Sequence, residues 1–400
     1  MMVIKNRIYL LLLLLFILLD ETSNNYILQF FHTEFSGLEF VLFFAFSITQ
    51  IFIAPIQSSF SDLYCRKKSL VFSLSFTCIS LFVIFLFKQK ICPPLFTLIL
   101  IVFAKAGLGN SLPLSWAGIA DTRNKNFRFS LGLSTSAIAF GWLLLLGINK
   151  LFPDLKANIY LIFVYLLLIL LCSKYFRDIR DSRNGISHQH VVNNKSNHFI
   201  RDIQLIYYEI ILLLKELKNS HIQRGLLAFF LWQMSFYCMN TLDIDLRLRE
   251  FSDLSAVMMI GYLLGVVILK FCEKISDPQM IRLGYITCIS SIVSYLILFP
   301  LLHKTRSLLL TSFFFYNLGT AFLPNVLFAM LSKERLPHEQ GRLYGLIDST
   351  DTLAFLISSS ISILYSSIKL SPVFIVAFSF ILFLISWISY KKFEEKKVHP

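Results

Sequence analysis

Residues 8–31 read IYLLLLLLFILLDETSNNYILQFF, an apolar run that is interrupted by acidic residues. The uncharged part before Asp20 holds 12 residues, or about 18 Å of helix, which is too short to cross a hydrocarbon core of about 30 Å. The helix therefore continues through Asp20 and Glu21 to about Phe31. This extension places two carboxyl groups near the middle of the first predicted membrane span.

Apolar runs of similar length follow along the whole chain. The composition, with 56% hydrophobic and 15% charged residues and a mean hydropathy of +0.68, excludes a water-soluble protein. The runs are continuous, whereas the strands of a membrane β-barrel alternate apolar and polar residues, so helices must satisfy the backbone in lipid. We therefore predict an all-α membrane protein with twelve transmembrane helices near 8–30, 38–58, 69–88, 95–119, 130–149, 157–175, 222–241, 253–272, 280–301, 307–331, 344–367 and 371–390.

The positive charges indicate the orientation. Most of the 37 Lys and Arg residues fall in loops on one side of the predicted spans, and the positive-inside rule assigns that side to the cytoplasm. Both termini and the middle loop are then cytoplasmic. Because the net charge of +13 is spread over span ends and not gathered on one face, we expect no nucleic-acid partner. Short loops favour a multi-pass protein of a bacterial inner (plasma) membrane.

One long polar segment, 176–200, divides the chain and predicts a flexible cytoplasmic linker. The following residues, 201–219, carry apolar side chains at helical spacing with charges between them, which is typical of a helix that lies on the membrane surface. The predicted domains are an N-terminal six-helix bundle (1–175), a cytoplasmic linker with an interfacial amphipathic helix (176–220) and a C-terminal six-helix bundle (221–400).

Metal and cofactor sites are not indicated. The linker histidines His188, His190 and His198 have no Cys or carboxylate at a fitting distance in the sequence, so we expect solvated loop residues and no metal site. The seven cysteines show no ordered spacing. The chain contains no Walker loop, no G-x-S-x-G, no H-E-x-x-H and no dinucleotide fingerprint. We expect no cofactor and no enzymatic activity, and energy must come from ion or solute gradients.

The loop between the second and third spans, residues 58–70, reads SSFSDLYCRKKSL. Its carboxylate, four positions before a basic cluster, can lie at the N-terminus of a neighbouring helix while the first cation reaches another acid. Such contacts can latch one conformation. The spacing resembles the signature G-x-x-x-D-x-x-G-R-[KR]-x-x-L of the major facilitator superfamily, with matches at Asp62, Arg66, Lys67 and Leu70 and with Ser58 and Cys65 in place of the two glycines.

Two further segments resemble the same family. Lys105 to Gly109 is similar to its R-x-x-x-G segment, and Asp121 ends that span where the family often has an acid that faces the loop arginine. Residues 336–345, LPHEQGRLYG, are similar to its P-x-E-x-x-G-R-x-x-G entry to the eleventh helix. The resemblance implies two pseudo-symmetric halves that carry substrate between them near mid-membrane. A faint internal repeat, in which Asp62 corresponds to Glu273 and Arg128 to Arg342, agrees with it. The expected conformational latch comprises Asp62, Arg66, Asp121 and Arg342.

Ionisable groups in hydrocarbon are costly, so they face a cavity, pair with one another or carry protons. Asp20 is the leading candidate for proton coupling, since a buried carboxyl group can accept a proton from one side and release it to the other. Glu21 lies about 100° round the helix and is the second candidate. Lys105, close to the middle of the fourth span, can balance Asp20 or hold an anionic group of the substrate, and the sequence leaves both roles open.

Polar and aromatic side chains within the spans can line a binding pocket, although a buried amide is as often a hydrogen bond between helices. For Asp348 and Asp351, in the first turns of the eleventh helix, interaction with the helix dipole and pairing to Arg342 are expected. The candidate substrate-binding residues are Asn24, Asn25, Gln50, Lys105, Trp232, Gln233, Asn240, Asn317 and Asn325.

The sequence predicts a secondary active transporter that moves a small solute or metabolite by alternating access, with proton symport. A drug/proton antiporter is an alternative: the L-D-x-T-x-x-N pattern of residues 19–25 resembles some exporters, whereas 130–147 lacks the Gly-Pro signature of their fifth helix. A second alternative is a non-transporting membrane sensor or assembly protein. The expected partners are a small-molecule substrate, protons and the lipid bilayer, and the expected state is a monomer.

Overall fold

The structure is a computed structural model. In the part of the chain that it describes, all regular secondary structure is helical, which confirms the predicted all-α class. The linker histidines and Glu273 lie outside the described residues. The structure describes every residue except 1, 36, 64, 123–126, 152–154, 177–210, 214, 246–250, 273, 303–305, 337–338, 369–371 and 399–400.

Within the described residues, α-helices follow one another along the chain. A π-helical segment, Val102–Leu108, lies between the fourth and fifth of them. The α-helices are α1 (Met2–Glu34), α2 (Glu39–Leu63), α3 (Arg66–Lys88), α4 (Pro94–Ile101), α5 (Leu112–Asp121), α6 (Phe127–Leu151), α7 (Leu155–Tyr175), α8 (Ser220–Asp245), α9 (Phe251–Phe271), α10 (Asp277–Leu302), α11 (Arg306–Thr320), α12 (Leu323–Lys333), α13 (Gln340–Ile368) and α14 (Pro372–Val398).

Each of the twelve predicted spans corresponds to one helix or to helices in succession. Within the described residues, nine segments are long and apolar enough to cross a membrane, and Met259–Phe271 is a shorter apolar helix. The first helix runs through Asp20 and ends at Glu34, a few residues beyond the predicted end. Large apolar side chains such as Phe52 and Leu170, each 66% exposed, face outward, as expected of a surface in contact with lipid.

The fourth span is broken, which the sequence analysis did not predict. α4 passes into the π segment, residues 109–111 are non-helical, and α5 begins at Leu112. Pro113 lies in the first turn of α5, where its missing N–H costs no intrahelical hydrogen bond. The tenth span is also interrupted, by two turn residues between Thr320 and Leu323, just before Pro324. Proline inside an apolar run was the signal for both breaks.

The chain forms two compact units. Unit 1 comprises Met1–Asn124, Ala137–Lys218 and Arg335–Ser349, and unit 2 comprises Lys125–Ser136, Asn219–Glu334 and Thr350–Pro400. The division follows packing and not chain order, because α6 and α13 each contribute residues to both units. The domain boundaries drawn from the sequence stay a prediction.

Part of the predicted surface helix is described. Residues 211–213 and 215–218 are helical. Leu213 and Glu216 are buried there, while Ile211 and Leu217 are exposed. This pattern gives the segment one buried and one exposed face.

Candidate functional site

A buried ion pair joins α1 to the π segment in unit 1. Lys105 Nζ lies 2.6 Å from Asp20 Oδ1, and both side chains are about 1% exposed. The same nitrogen donates to the Gly109 carbonyl at 3.1 Å and to Thr77 Oγ1 at 3.4 Å. The Ser111 backbone N–H donates to Asp20 Oδ1 at 3.3 Å. Among the described residues, the other carboxylate oxygen, Oδ2, has no hydrogen-bond partner.

The helix around Asp20 is held in place by its neighbours. Tyr165 of α7 donates to the Leu19 carbonyl at 2.7 Å, and its oxygen lies 2.9 Å from Ser23 Oγ. Thr22 Oγ1 lies 3.2 Å from the Gly141 carbonyl of α6. A Cβ atom at Gly141 would meet the Leu18 carbonyl at 2.7 Å, so glycine allows α6 to approach α1. These contacts fix the direction in which Asp20 points.

The π segment presents Lys105 to this carboxylate. A π-helical hydrogen bond spans one more residue than an α-helical one, and such segments are frequent at functional sites. Here the segment ends at Leu108, and the Gly109 N–H donates to the Lys105 carbonyl at 3.1 Å. A Cβ atom at Gly109 would come within 2.9 Å of Ala104 O and Thr77 Oγ1. The local backbone therefore packs tightly around the ammonium group.

The other candidates on α1 differ from Asp20 in their surroundings. Glu21 is partly buried, and its Oε1 accepts a hydrogen bond from Asn25 Nδ2 at 2.9 Å. The same amide donates to the Glu21 carbonyl at 2.8 Å. Asn24 is partly exposed. Asn25 therefore serves a contact within its own helix in this structure.

The residues predicted as a latch lie close together in unit 1. Asp62 accepts hydrogen bonds from the backbone N–H groups of Gly341 and Arg342, each at 2.9 Å, in the first turn of α13. Arg66 donates from Nη2 to Asp62 at 2.7 Å and from Nε to Asp121 at 2.7 Å. The three side chains of Asp62, Arg66 and Asp121 are buried. A carboxylate at a helix N-terminus stabilises the helix dipole, and the arginine balances both acids.

Close approach of α2 and α13 requires a glycine. A Cβ atom at Gly341 would clash with the Ser58 carbonyl and would lie 2.9 Å from Asp62 Cγ. A Cβ atom at Gly345 would likewise lie 2.6 Å from Pro55 Cα. Ser58 is thus tolerated where the family motif has glycine, because the glycine that the contact needs is on α13.

Cys65 fills the other glycine position of the motif. Its backbone is extended, with φ −127° and ψ 126°, a conformation that any residue adopts. It precedes the first turn of α3 without a side-chain cap. The substitution of cysteine for glycine therefore leaves the loop in an ordinary conformation.

The fourth latch candidate, Arg342, contacts the helix that precedes α8. Its Nη1 lies 3.5 Å from Glu216 Oε1, and Arg335 also pairs with Glu216. Burial raises the pKa of the Glu216 carboxyl above its ordinary value, although both arginines act to lower that pKa. The helical residues just before α8 are thereby tied to the start of α13.

The repeat partner of Arg342 forms a comparable contact in unit 2. Arg128, in the first turn of α6, lies 3.2 Å from Asp277 of α10. Lys333 pairs with the same carboxylate at 2.6 Å. Asp277 thus pairs with one cation in the first turn of α6 and with another at the end of α12.

Asp348 and Asn110 were not among the predicted site residues. Asp348 was expected in the first turns of the eleventh helix, but it is the ninth residue of α13, and its Oδ2 accepts hydrogen bonds from Asn110 Nδ2 at 2.7 Å and Gln50 Nε2 at 3.3 Å. Asp348 and Asn110 are 2% and 3% exposed. The signal for Asn110 was its place between glycine and proline in an otherwise apolar span.

In unit 2, Asn325 joins a hydrogen-bonded group. Its Nδ2 donates to the Ala321 carbonyl at 2.6 Å and to Tyr262 Oη at 3.2 Å, and its Oδ1 accepts from Thr135 Oγ1 at 3.1 Å. Asn317 is buried and donates to the Phe313 carbonyl at 2.9 Å. Both amides therefore make helix contacts.

Trp232 and Gln233 lie on α8. Trp232 is buried between the rings of Phe229 and Phe236, at centroid distances of 5.7 and 5.9 Å. It lines a cavity of about 10 Å³, which has room for about one water molecule. Gln233 is buried and interacts with Asp351, which also accepts a hydrogen bond from Tyr237 at 2.9 Å. The side chain of Asn240 lies outside the described residues.

Comparison with known proteins gives a consistent picture of the fold. The model of the Major Facilitator Superfamily matches residues 10–359. The human organic anion transporter MFSD10 (TETRAN) has a similar structure, with 15% identity, a TM-score of 0.71 and coverage of 96% of this chain and 99% of that one. The E. coli fucose:proton symporter FucP is 12% identical, with a TM-score of 0.70 and coverage of 97% of this chain and 99% of that one. The proton:xylose symporter XylE is 15% identical, with a TM-score of 0.71 and coverage of 97% of this chain and 96% of that one.

A comparison with curated protein sequences gives no match. At identities of 12–15% the structural similarity establishes the fold and leaves the substrate open. The family model covers most of the chain, so the class of protein is a transporter and not an enzyme. This chain belongs to the major facilitator superfamily.

Proposed function

We propose that this chain is a proton-coupled secondary transporter that moves a small solute by alternating access, and that Asp20 binds the coupling proton. The observation that carries the proposal is the buried Asp20–Lys105 pair, with a separation of 2.6 Å. Ionisable residues inside a membrane span are expensive and mark ion or substrate pathways. The carboxylate is paired through one oxygen, and Oδ2 is the atom that a proton would occupy.

Protonation changes the charge of this pair. With Asp20 ionised, the pair is neutral, and Lys105 donates to a charged acceptor. With a proton on Oδ2, one positive charge remains on Lys105, held by the neutral oxygens of Gly109 and Thr77. Such a charge in a low-dielectric site favours binding of an anionic group or release of the proton from Asp20. This supports symport, in which proton and solute bind together.

The predicted latch has a place in the same cycle. Asp62, Arg66 and Asp121 together with the first turn of α13 would stabilise one conformation, and their contacts would break in the other. Lipid-facing helices support a multi-pass membrane location, and we keep the assignment to a bacterial inner membrane with both termini cytoplasmic as part of the proposal. Contact of the remaining polar candidates with substrate stays a prediction.

A substrate must be found before coupling can be tested. Purified protein is screened by thermal shift against amino acids, sugars, organic acids and lipophilic cations, because a ligand of the folded state raises the apparent stability. The ligand found is then used in proteoliposomes. Asp20→Asn is compared with Glu21→Gln, which removes a neighbouring carboxylate that is already hydrogen-bonded to Asn25.

We expect Asp20→Asn to abolish accumulation driven by a proton gradient and to spare exchange of labelled solute. Glu21→Gln should retain most of the accumulation. Wild-type accumulation in Asp20→Asn would assign coupling to another residue. If wild-type protein exchanges no solute, the sensor alternative is favoured. Whether an inward-directed proton gradient fills or empties the vesicles distinguishes symport from drug/proton antiport.

A further inference from the structure

The break in the fourth span, residues 109–111, contacts three buried charged side chains. The Gly109 carbonyl accepts a hydrogen bond from Lys105 at 3.1 Å, and the Ser111 N–H donates to Asp20 at 3.3 Å. Between them, Asn110 Nδ2 donates to Asp348 Oδ2 at 2.7 Å. Three consecutive residues thus connect the proposed proton site to α13.

The side chain of Asn110 is held at both ends. Its Oδ1 accepts a hydrogen bond from the Leu112 N–H at 3.2 Å, at the start of α5, which leaves Nδ2 for Asp348. Residues 109–111 lie between two helices: the Gly109 N–H donates to the Lys105 carbonyl on one side, and the Ser111 carbonyl accepts from the Ser115 N–H on the other. A movement of this short segment therefore turns or withdraws the amide.

The contact at Asp348 is part of a larger seam on the first ten residues of α13. Gln50 of α2 also donates to Asp348, and Ser349 Oγ donates to the Ile51 carbonyl at 2.8 Å. Ile347 is fully buried. The hydrogen bonds to the Asp348 carboxylate are polar contacts of this seam next to the break. Loss of the Asn110 contact would leave the buried Asp348 carboxylate with one hydrogen-bond donor fewer, which costs free energy.

We propose that Asn110 transmits the protonation state of Asp20 to the docking of α13. This inference rests on the proposed function. When a proton from water binds Asp20 Oδ2, Lys105 and the Ser111 N–H lose a charged acceptor. The contacts that fix residues 109–111 are then weaker. Asn110 then leaves Asp348, and α13 leaves α2. In the reverse direction, an ionised Asp20 holds the break so that Asn110 supports docking.

The other ionisable groups near Asp20 are few among the described side chains. Lys105 faces it from the π segment, and Glu21 lies beside it on α1. Tyr165 of α7 lies in electrostatic range of Asp20 and Glu21, and Cys78 of α3 lies near Tyr165. Around Asp348, the charged side chains described on the packed elements include Asp62 on α2, Lys105 on the π segment and Asp121 on α5, with Arg342 and Asp351 on its own helix.

The test uses residue 349 as a reporter of docking. Ser349 is 9% exposed, so a cysteine there is protected while α13 is docked. Full-length Ser349→Cys protein is treated with N-ethylmaleimide at pH values from about 5 to 8, and modification of the peptide that contains residue 349 is quantified by mass spectrometry. At each pH the rate is normalised to that of the same cysteine in unfolded protein, which removes the pH dependence of the thiol itself.

We expect acidification to raise the normalised rate by about fivefold or more, the lower end of usual coupling strengths. Asn110→Ala should give a high rate at all pH values, and Asp348→Ala, which removes the acceptor of the same hydrogen bond, should do the same if Asn110→Ala fails to fold. The matched control is Asn158→Ala, which removes another buried amide of unit 1 that donates to the Leu81 carbonyl at 3.1 Å. That variant should keep the wild-type pH dependence.

The outcomes separate this inference from the proposed function. If Asn110→Ala keeps the wild-type ratio between acid and neutral pH, Asn110 is a structural contact and the inference is overturned, even where Asp20→Asn abolishes accumulation. If Asp20→Asn leaves both accumulation and the pH dependence at residue 349 unchanged, the proposed function fails as well. A rate that is high and independent of pH in Asp20→Asn supports both.

Discussion

The carboxylate of Asp62 accepts a hydrogen bond from the backbone N–H of Gly341 at 2.9 Å, across 279 positions of sequence. The next N–H, that of Arg342, makes a second such bond of equal length. One side chain at the end of α2 thus caps the first turn of α13.

Asp62→Asn should slow transport more than it weakens substrate binding. The amide keeps one acceptor but loses the negative charge at the helix N-terminus, and Arg66 keeps Asp121 as its charged partner. We expect turnover to fall by about tenfold, which corresponds to about 1.4 kcal/mol. Counterflow in proteoliposomes, with binding measured separately, checks this. Glu339→Gln is the control, since that carboxylate precedes α13 and is 22% exposed. An equal loss in both variants would argue against the cap.

Gly341→Ala should separate α13 from α2. The added Cβ would meet the Ser58 carbonyl and lie 2.7 Å from Arg66 Nη1, so one helix must move. We expect a clear fall in melting temperature. Gly147→Ala is the matched control, because a Cβ there meets nothing within 4 Å and alanine favours a helix by about 1 kcal/mol. Equal melting temperatures for the two variants would show that the close approach is not required.

Lys105→Met should destabilise the protein strongly, while the double variant with Asp20→Asn should recover most of the loss. Removing one partner of a buried pair leaves an uncompensated charge, at a cost of about 3–5 kcal/mol, whereas removing both charges leaves none. Denaturant unfolding in detergent measures the cycle. Lys88→Met serves as control, because Lys88 lies at the end of α3, 3.4 Å from Tyr26 Oη. Additive effects in the double variant would contradict a direct pair.

Glu216 should make stability depend on pH. Burial raises the pKa of this carboxyl above its ordinary value of 4.5, so the folded protein holds the proton over a range in which the unfolded chain has lost it. Stability from this group is then present at low pH and declines as the pH rises through the folded-state pKa. Relative to Glu216→Gln, the melting temperature of the wild type should fall from pH 4.5 upward. A difference that is constant with pH would contradict this sign.

Some of the molecule could be predicted from local sequence. The span count and the continuation of α1 through Asp20 follow from the length of apolar runs, since transfer into lipid is a property of each segment. The Arg66–Asp121 pair was expected from the family motif, and the structure places the two groups 2.7 Å apart. The pairing of Lys105 with Asp20 depends on packing, because the partner of a side chain depends on which faces of distant helices meet.

What the sequence by itself determined was the all-α membrane class, the order of the spans and the presence of charged groups within them, because hydropathy and helix length are set by neighbouring residues. Only the tertiary structure decided that Lys105 pairs with Asp20, that Asp62 caps α13, and that Asn110 contacts Asp348. Those contacts join residues 85, 279 and 238 positions apart. Their geometry arises from the packing of whole helices, which no local pattern encodes.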